Sequence, residues 1–172
     1  IVGADQYDNG NTNEGKAYVY HGSATGLSTT AAWTTESDQS TTNYGARLDS
    51  VGDVDGDGYS DVIVGAETYD NGNTNEGRAF VYHGSSTGLS TTAAWTTEAD
   101  QSTASFGARV SSAGDLNGDG FSDVVVGAND YDNGEVGEGR AYVYHSTNTT
   151  TFNTYNLPGK RLILNPYANP EV

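Results

Sequence analysis

The sequence predicts an all-β fold of four-stranded antiparallel sheets, repeated in tandem as the blades of a partial β-propeller. Three observations predict it. The chain repeats itself, short alternating runs stand where strands are expected, and no segment holds a helical period.

The repeat comes first. Ile1-Val2-Gly3-Ala4 recurs as Ile63-Val64-Gly65-Ala66 and again as Val125-Val126-Gly127-Ala128, a period of 62 residues. Units 1–62 and 63–124 differ at 15 positions, among them the mild exchanges Lys16/Arg78, Tyr18/Phe80, Tyr44/Phe106, Leu48/Val110 and Tyr59/Phe121. The third copy keeps the pattern to about His145. Copies this close point to recent duplication, so recurrence alone says little about the importance of a residue.

Within a unit, Ala46 to Val51 alternates and reads as a strand, and Asp61 to Ala66 is a short apolar run of the kind buried on both faces. Arg78 to His83 alternates around Phe80 and Tyr82, and Ala93 to Glu98 is a weaker fourth strand carrying Trp95. Asp70-Asn71-Gly72-Asn73 and Gly84-Ser85-Ser86-Thr87-Gly88 supply turns between them. The repeats divide the chain into a partial first blade at 1–45, a second at 46–107 and a third at 108–145. Residues 146–172 remain as linker and tail. Ser146 to Thr154 is Ser/Thr/Asn-rich and reads as linker. One extra strand is expected at 161–165, around Arg161-Leu162-Ile163-Leu164. Asn148-Thr149-Thr150 matches a glycosylation sequon.

Composition narrows the function. The 172 residues hold 23 acidic and 7 basic side chains, a formal charge of -16, which argues against nucleic acid or an anionic membrane as partner. Twelve Tyr, four Phe and two Trp give the chain apolar surface to bury, so disorder does not fit. There is no cysteine, hence no disulfide and no thiolate-bound metal. No apolar run approaches the roughly 20 residues that span a bilayer. The chain opens at Ile1 inside a strand-like run and has no Met, so it reads as an excerpt or processed product of a longer one.

The chemistry lies in two acidic loops. Asp53-Val54-Asp55-Gly56-Asp57-Gly58-Tyr59-Ser60-Asp61 places carboxylates at positions one, three, five and nine. Asp115-Leu116-Asn117-Gly118-Asp119-Gly120-Phe121-Ser122-Asp123 repeats this with Asn at three. Calcium takes six to eight oxygens at about 2.3–2.6 Å, and alternate residues of a tight loop can turn oxygens inward around it. Gly58 and Gly120 permit the sharp turn. The carbonyl of Tyr59 or Phe121, at position seven, is the natural further ligand. Without a cation the carboxylates would repel one another. The plain alternative is an acidic surface turn, and magnesium fits less well because it retains waters. An EF-hand is excluded, because position twelve is Val64 or Val126 rather than Glu.

Phe106-Gly107-Ala108-Arg109, the loop from Gly114, and Asp123-Val124-Val125-Val126-Gly127-Ala128 together resemble the FG-GAP repeat. This is the repeat of integrin α-subunit propellers and of many bacterial surface proteins. Tyr44-Gly45 takes the Phe-Gly place in the preceding copy. The third residue of the Gly-Ala-Pro signature departs, being Asp5, Glu67 and Asn129. The resemblance covers residues 1 to about 145. It implies seven-bladed propellers, calcium in the loop between the first two strands of a blade, and roles in adhesion or ligand binding. Carried over, the Ca2+ ligands of two sites are Asp53, Asp55, Asp57, Tyr59 (carbonyl) and Asp61, then Asp115, Asn117, Asp119, Phe121 (carbonyl) and Asp123.

Other residues attract attention. His21, His83 and His145 recur once per unit and read as polar strand ends. Trp33 and Trp95 are expected in the core between blades, with sugar stacking as the alternative. Arg47 and Arg109 are expected to neutralise nearby carboxylates. The Asp-Asn-Gly loops with Glu14, Glu76 and Glu138 read as hairpin turns, a second cation site being the alternative.

The leading function is a calcium-stabilised structural or adhesive module, extracellular or at the cell surface. Seven units of this period need more than twice this chain, so its partners are further repeats of the same chain or self-association into a surface structure or filament, with surface proteins or glycans as candidate ligands. Exposed blade faces and strand edges favour such assembly. The alternatives are a lectin-like glycan-binding propeller and an enzyme-associated one. No nucleophile–base constellation supports catalysis, and the chain is expected not to be an enzyme.

Overall fold

The computed structural model describes residues 1–147 and, by backbone pairing, 153–156. Every element there is a strand. In the first sheet β1 (Val2–Ala4), β2 (Lys16–Val19) and β5 (Trp33–Glu36) pair in that order, and β3 (Gly22–Ser23) with β4 (Gly26–Leu27) forms a small hairpin between them in sequence. The second sheet is β6 (Arg47–Gly52), β7 (Asp61–Ala66), β8 (Arg78–Tyr82) and β9 (Trp95–Glu98); the third is β10 (Phe106–Gly114), β11 (Asp123–Ala128), β12 (Arg140–His145) and β13 (Asn153–Asn156). Both are antiparallel meanders with neighbours in chain order, the arrangement of propeller blades.

Register explains why the sheets stack. Leu48, Val64 and Phe80 stand opposite one another in one row, so they share a face. Ile63, Val81 and Trp95 form the adjacent row on the other face. The first face joins Val62, Ala66 and Tyr82 in a core against blade one, where it meets Ala17 and Trp33. The second face packs on blade three through Phe106, Val124, Val126 and Tyr142. All six residues of β7 are therefore buried, as a run apolar on both faces requires.

Each junction uses a close backbone approach. A Cβ on Gly3 would stand 1.9 Å from the Gly45 carbonyl oxygen, and one on Gly65 would stand 2.2 Å from that of Gly107. Glycine is what lets the aromatic–glycine opening of the next blade sit against β1 and β7. Isolated parallel bridges join Gly15 to Tyr44 and Gly77 to Phe106 beside these contacts.

The aromatic rings sort into the same interfaces. Trp33 donates Nε1–H to the Ser90 carbonyl at 2.8 Å and meets Tyr82 edge-on, and Trp95 meets Tyr144 likewise. The Tyr44 and Tyr82 hydroxyls are buried 2.8 Å apart. Phe106, in the Tyr44 place, has no hydroxyl, and its ring packs on Tyr142. The first two Asp-Asn-Gly loops are hairpins held from inside by a buried glutamate, Glu14 or Glu76, whereas Glu138 of the third is exposed. Buried Glu76 accepts from the Asn71 and Asn73 backbone N–H groups, and Asp70 accepts from Asn75 N–H.

Two expectations change. Asn153–Asn156, half inside the expected linker, completes the third sheet by pairing with β12. Tyr155 stands opposite Val143 in the register where Trp95 faces Val81 and Trp33 faces Val19. An unpaired β12 edge draws in any short segment that offers a backbone ladder, and the departure from the repeat hides this one in the sequence. The strand expected at 161–165 and the sequon at Asn148 lie outside the described residues. The arginines also differ from expectation. Arg47 and Arg109 donate to the carbonyls of their own preceding residues, Ala46 and Ala108. Among the described residues the ion pairs of Lys and Arg are Lys16–Glu36 at 3.0 Å and Arg78–Glu98 at 3.5 Å, cross-strand partners on neighbouring strands.

Candidate metal centre

Both acidic loops connect the first two strands of a blade, β6 to β7 and β10 to β11. The local sequence builds the turn. Asp53 Oδ1 accepts from the backbone N–H of Gly56 (2.6 Å) and Asp57 (3.1 Å), and Oδ2 accepts from Gly58 N–H (2.8 Å). Asp115 does the same with Gly118, Asp119 and Gly120, and the Gly120 N–H foremost holds its carboxyl below the usual range. Gly58 and Gly120 take φ of 90° and 92°, the left-handed region their turn demands.

Position nine anchors the loop. The Asp61 side chain is buried, with Oδ2 accepting from Val54 N–H and Oδ1 from Gly84 N–H, each at 2.7 Å. Asp123 accepts in the same way from Leu116 and Ser146. Burial pushes the Asp61 carboxyl up to about 6, against the pull of those two N–H groups.

In the first loop, carboxylate oxygens of Asp53, Asp55 and Asp61 lie within 4.8 Å of one another. Oxygens facing each other across a calcium ion stand about 4.6–5.2 Å apart, so the spacing and the all-oxygen donor set fit that ion. Asp57 stands outside this trio and accepts from Tyr59 N–H at 2.9 Å. The second loop brings no three acids together among the described residues. Its Asn117 donates Nδ2–H to Asp119 Oδ2 at 2.9 Å, a self-contained substitute for one charge.

Two site residues are not evident from the sequence, where they read as polar strand ends. His83 donates Nδ1–H to Asp55 Oδ2 at 2.9 Å. In the next blade, where Asn117 replaces that aspartate, His145 turns to Asp123 Oδ2 at 3.0 Å. The available signal is one histidine per unit, at the end of the strand that pairs with the one leaving the loop. The loops also touch each other. Ser122 N–H donates to the Asp53 carbonyl at 2.8 Å, and a Cβ on Gly56 would stand 2.3 Å from the Phe121 ring.

The FG-GAP repeat family matches residues 46–82 and 106–144, each span holding the first three strands of a blade with its acidic loop inside. The chain carries FG-GAP repeats. They resemble integrin alpha-PS2 of Drosophila melanogaster, 38% identical over 102 residues, 55% of this chain and 7% of that protein. Integrin alpha-8 of Gallus gallus is 31% identical over 135 residues, 74% of this chain and 11% of that protein. Integrin alpha-11 of Homo sapiens is 31% identical over 131 residues, with the same coverage of 74% and 11%. The FG-GAP chain thus spans about a tenth of these relatives. Among its described residues no helix is long and apolar enough to cross a membrane.

Proposed function

We propose that the chain is a calcium-stabilised, extracellular adhesive module, non-catalytic, acting as part of a larger propeller or a self-assembled surface structure. The observation that carries this is the convergence of Asp53, Asp55 and Asp61 in a loop that clips two strands together. In this reading the first ion takes Asp53, Asp55, Asp57, the Tyr59 carbonyl and Asp61. The second takes Asp115, Asn117, Asp119, the Phe121 carbonyl and Asp123. The ion offsets the charge gathered at the loop and fixes the β6–β7 and β10–β11 connections. The similarity to integrin α chains supports an adhesive setting. The lectin-like alternative gains nothing from Trp33 and Trp95, whose rings pack into the blade interfaces.

Calcium bound to the folded chain alone stabilises by mass action, about 2.7 kcal/mol at a hundredfold excess over Kd. Thermal denaturation in calcium and in excess chelator is therefore expected to differ by roughly 5–10 °C for a chain of this size. Superimposable curves would overturn the calcium reading.

The two loops are expected to rank unequally, the second carrying one carboxylate fewer. Asn117→Asp is expected to raise the affinity of the weaker site in a calorimetric titration while leaving the stronger one unchanged. A titration in which neither site moves would remove the ranking.

A further inference from the structure

A polar path through the backbone joins the two acidic loops. Ser122 N–H donates to the Asp53 carbonyl at 2.8 Å, from position eight of the second loop to position one of the first. The peptide group that carries this N–H also carries the Phe121 carbonyl, the proposed position-seven ligand of the second site. The peptide group that carries the Asp53 carbonyl also carries Val54 N–H. That N–H donates at 2.7 Å to Asp61 Oδ2, on the position-nine carboxylate of the first site. Neither peptide is cis, so in each plane the carbonyl and the N–H point opposite ways. Two peptide groups, hydrogen-bonded head to tail, thus run from a proposed ligand of one ion to a proposed ligand of the other.

Packing holds this path in place. The Phe121 ring lies so close over Gly56, at position four of the first loop, that no Cβ fits between them. Gly56 N–H is itself one of the donors that wrap the loop around the Asp53 carboxylate. Ser122 Oγ leaves no room for a Cβ on Gly52, the residue before the first loop. Val54 and Val124, which follow Asp53 and Asp123, are buried in one core cluster. The strands entering the loops are tied as well, since Ser111 Oγ–H and Ser112 N–H donate to Asp49 Oδ2 at 2.7 and 3.2 Å.

We propose that the two loops are coupled, each binding calcium more tightly when the other is filled, with Phe121 and Ser122 as the positioning residues that carry the coupling. Calcium on the Phe121 carbonyl polarises that peptide and strengthens Ser122 N–H as a donor. Through the Asp53 carbonyl it strengthens Val54 N–H as a donor to Asp61 in turn. The same ion fixes the Phe121 ring over Gly56, so part of the first loop is ordered before its own ion arrives, which is positive cooperativity. Linkage makes the effect equal in both directions. Repulsion between the ions opposes it and is screened beyond about 8 Å at about 0.15 M salt. The proposal rests on the calcium reading above and adds that the two sites do not act independently.

Calorimetric titration with calcium at about 0.15 M salt tests it. The first loop, with one carboxylate more, fills first in the parent, so the coupling is read in the second step. Asp55→Ala disables the first site while leaving every group of the path in place, and is expected to weaken the second site at least about fivefold. Phe121→Ala keeps the carbonyl and removes the ring, and in that background Asp55→Ala is expected to have a smaller effect. The charge removed is the same in both backgrounds, so their difference isolates the coupling. A loss under about fivefold in the parent, or one that Phe121→Ala leaves unchanged, would overturn the proposal. Two sites that fill independently would leave the calcium reading standing, whereas a parent that takes up no calcium would remove both. Melts in chelator check that each variant folds, and Asp55→Asn, which keeps an acceptor for Asp57 N–H, replaces an Asp55→Ala chain that does not.

Discussion

Gly65→Val is expected to destabilise the chain by about 3 kcal/mol or more, while Gly127→Val costs under about 1 kcal/mol. Both glycines sit at the same place in a blade, in extended strands, so neither substitution strains the backbone by itself. They differ in what the new side chain meets. At Gly65 it meets the Gly107 carbonyl oxygen at 2.2 Å, and backbone in a strand cannot step aside without opening the junction. At Gly127 the nearest atom is the Arg109 Cβ at 3.3 Å, which a small shift relieves. Chemical denaturation of the two variants beside the parent checks this. Equal losses would show that the glycines serve the strand and not the interface.

Asp61→Ala is expected to cost about 2–5 kcal/mol even in chelator, since it leaves two buried backbone donors, Val54 N–H and Gly84 N–H, without the carboxylate that satisfies them. In calcium the difference from the parent is expected to widen, because the variant also loses a proposed ligand. Asp57→Ala makes the contrast. Its side chain accepts only the exposed Tyr59 N–H, so in chelator it should lie within about 0.5 kcal/mol of the parent. Melts of both variants with and without calcium separate the two contributions. An Asp61→Ala chain as stable as the parent in chelator would show that its two hydrogen bonds do not hold the loop.

Much of this architecture is legible in the residues themselves. The period places the blades, and the alternation of Arg78 to Tyr82 and the unbroken apolar run of Asp61 to Ala66 place strands, because burial on one face or two leaves different patterns. The acidic loops declare themselves through oxygen spacing. Legibility ends where partners come from afar. Nothing near His83 in sequence says that it bonds Asp55, since the two are brought together by the antiparallel pairing of β8 with β7. Arg47 resembles a neutraliser because carboxylates lie near it in sequence, yet its guanidinium folds back onto Ala46. Asn153–Asn156 breaks the repeat's residue pattern while keeping its backbone role, and pairing groups belong to every sequence alike.

The buried hydroxyl pair of Tyr44 and Tyr82 has a consequence for how such a chain finds its own order. Near-identical neighbours invite exchange during folding, with β10 entering blade two in place of β6. Phe106 would then arrive where Tyr44 belongs and the Tyr82 hydroxyl would keep Thr35 Oγ1 at 3.4 Å but lose the Tyr44 hydroxyl, at a cost of about 0.5–1.5 kcal/mol. One oxygen atom thus serves as part of an address, helping to tell two near-identical strands which sheet is theirs.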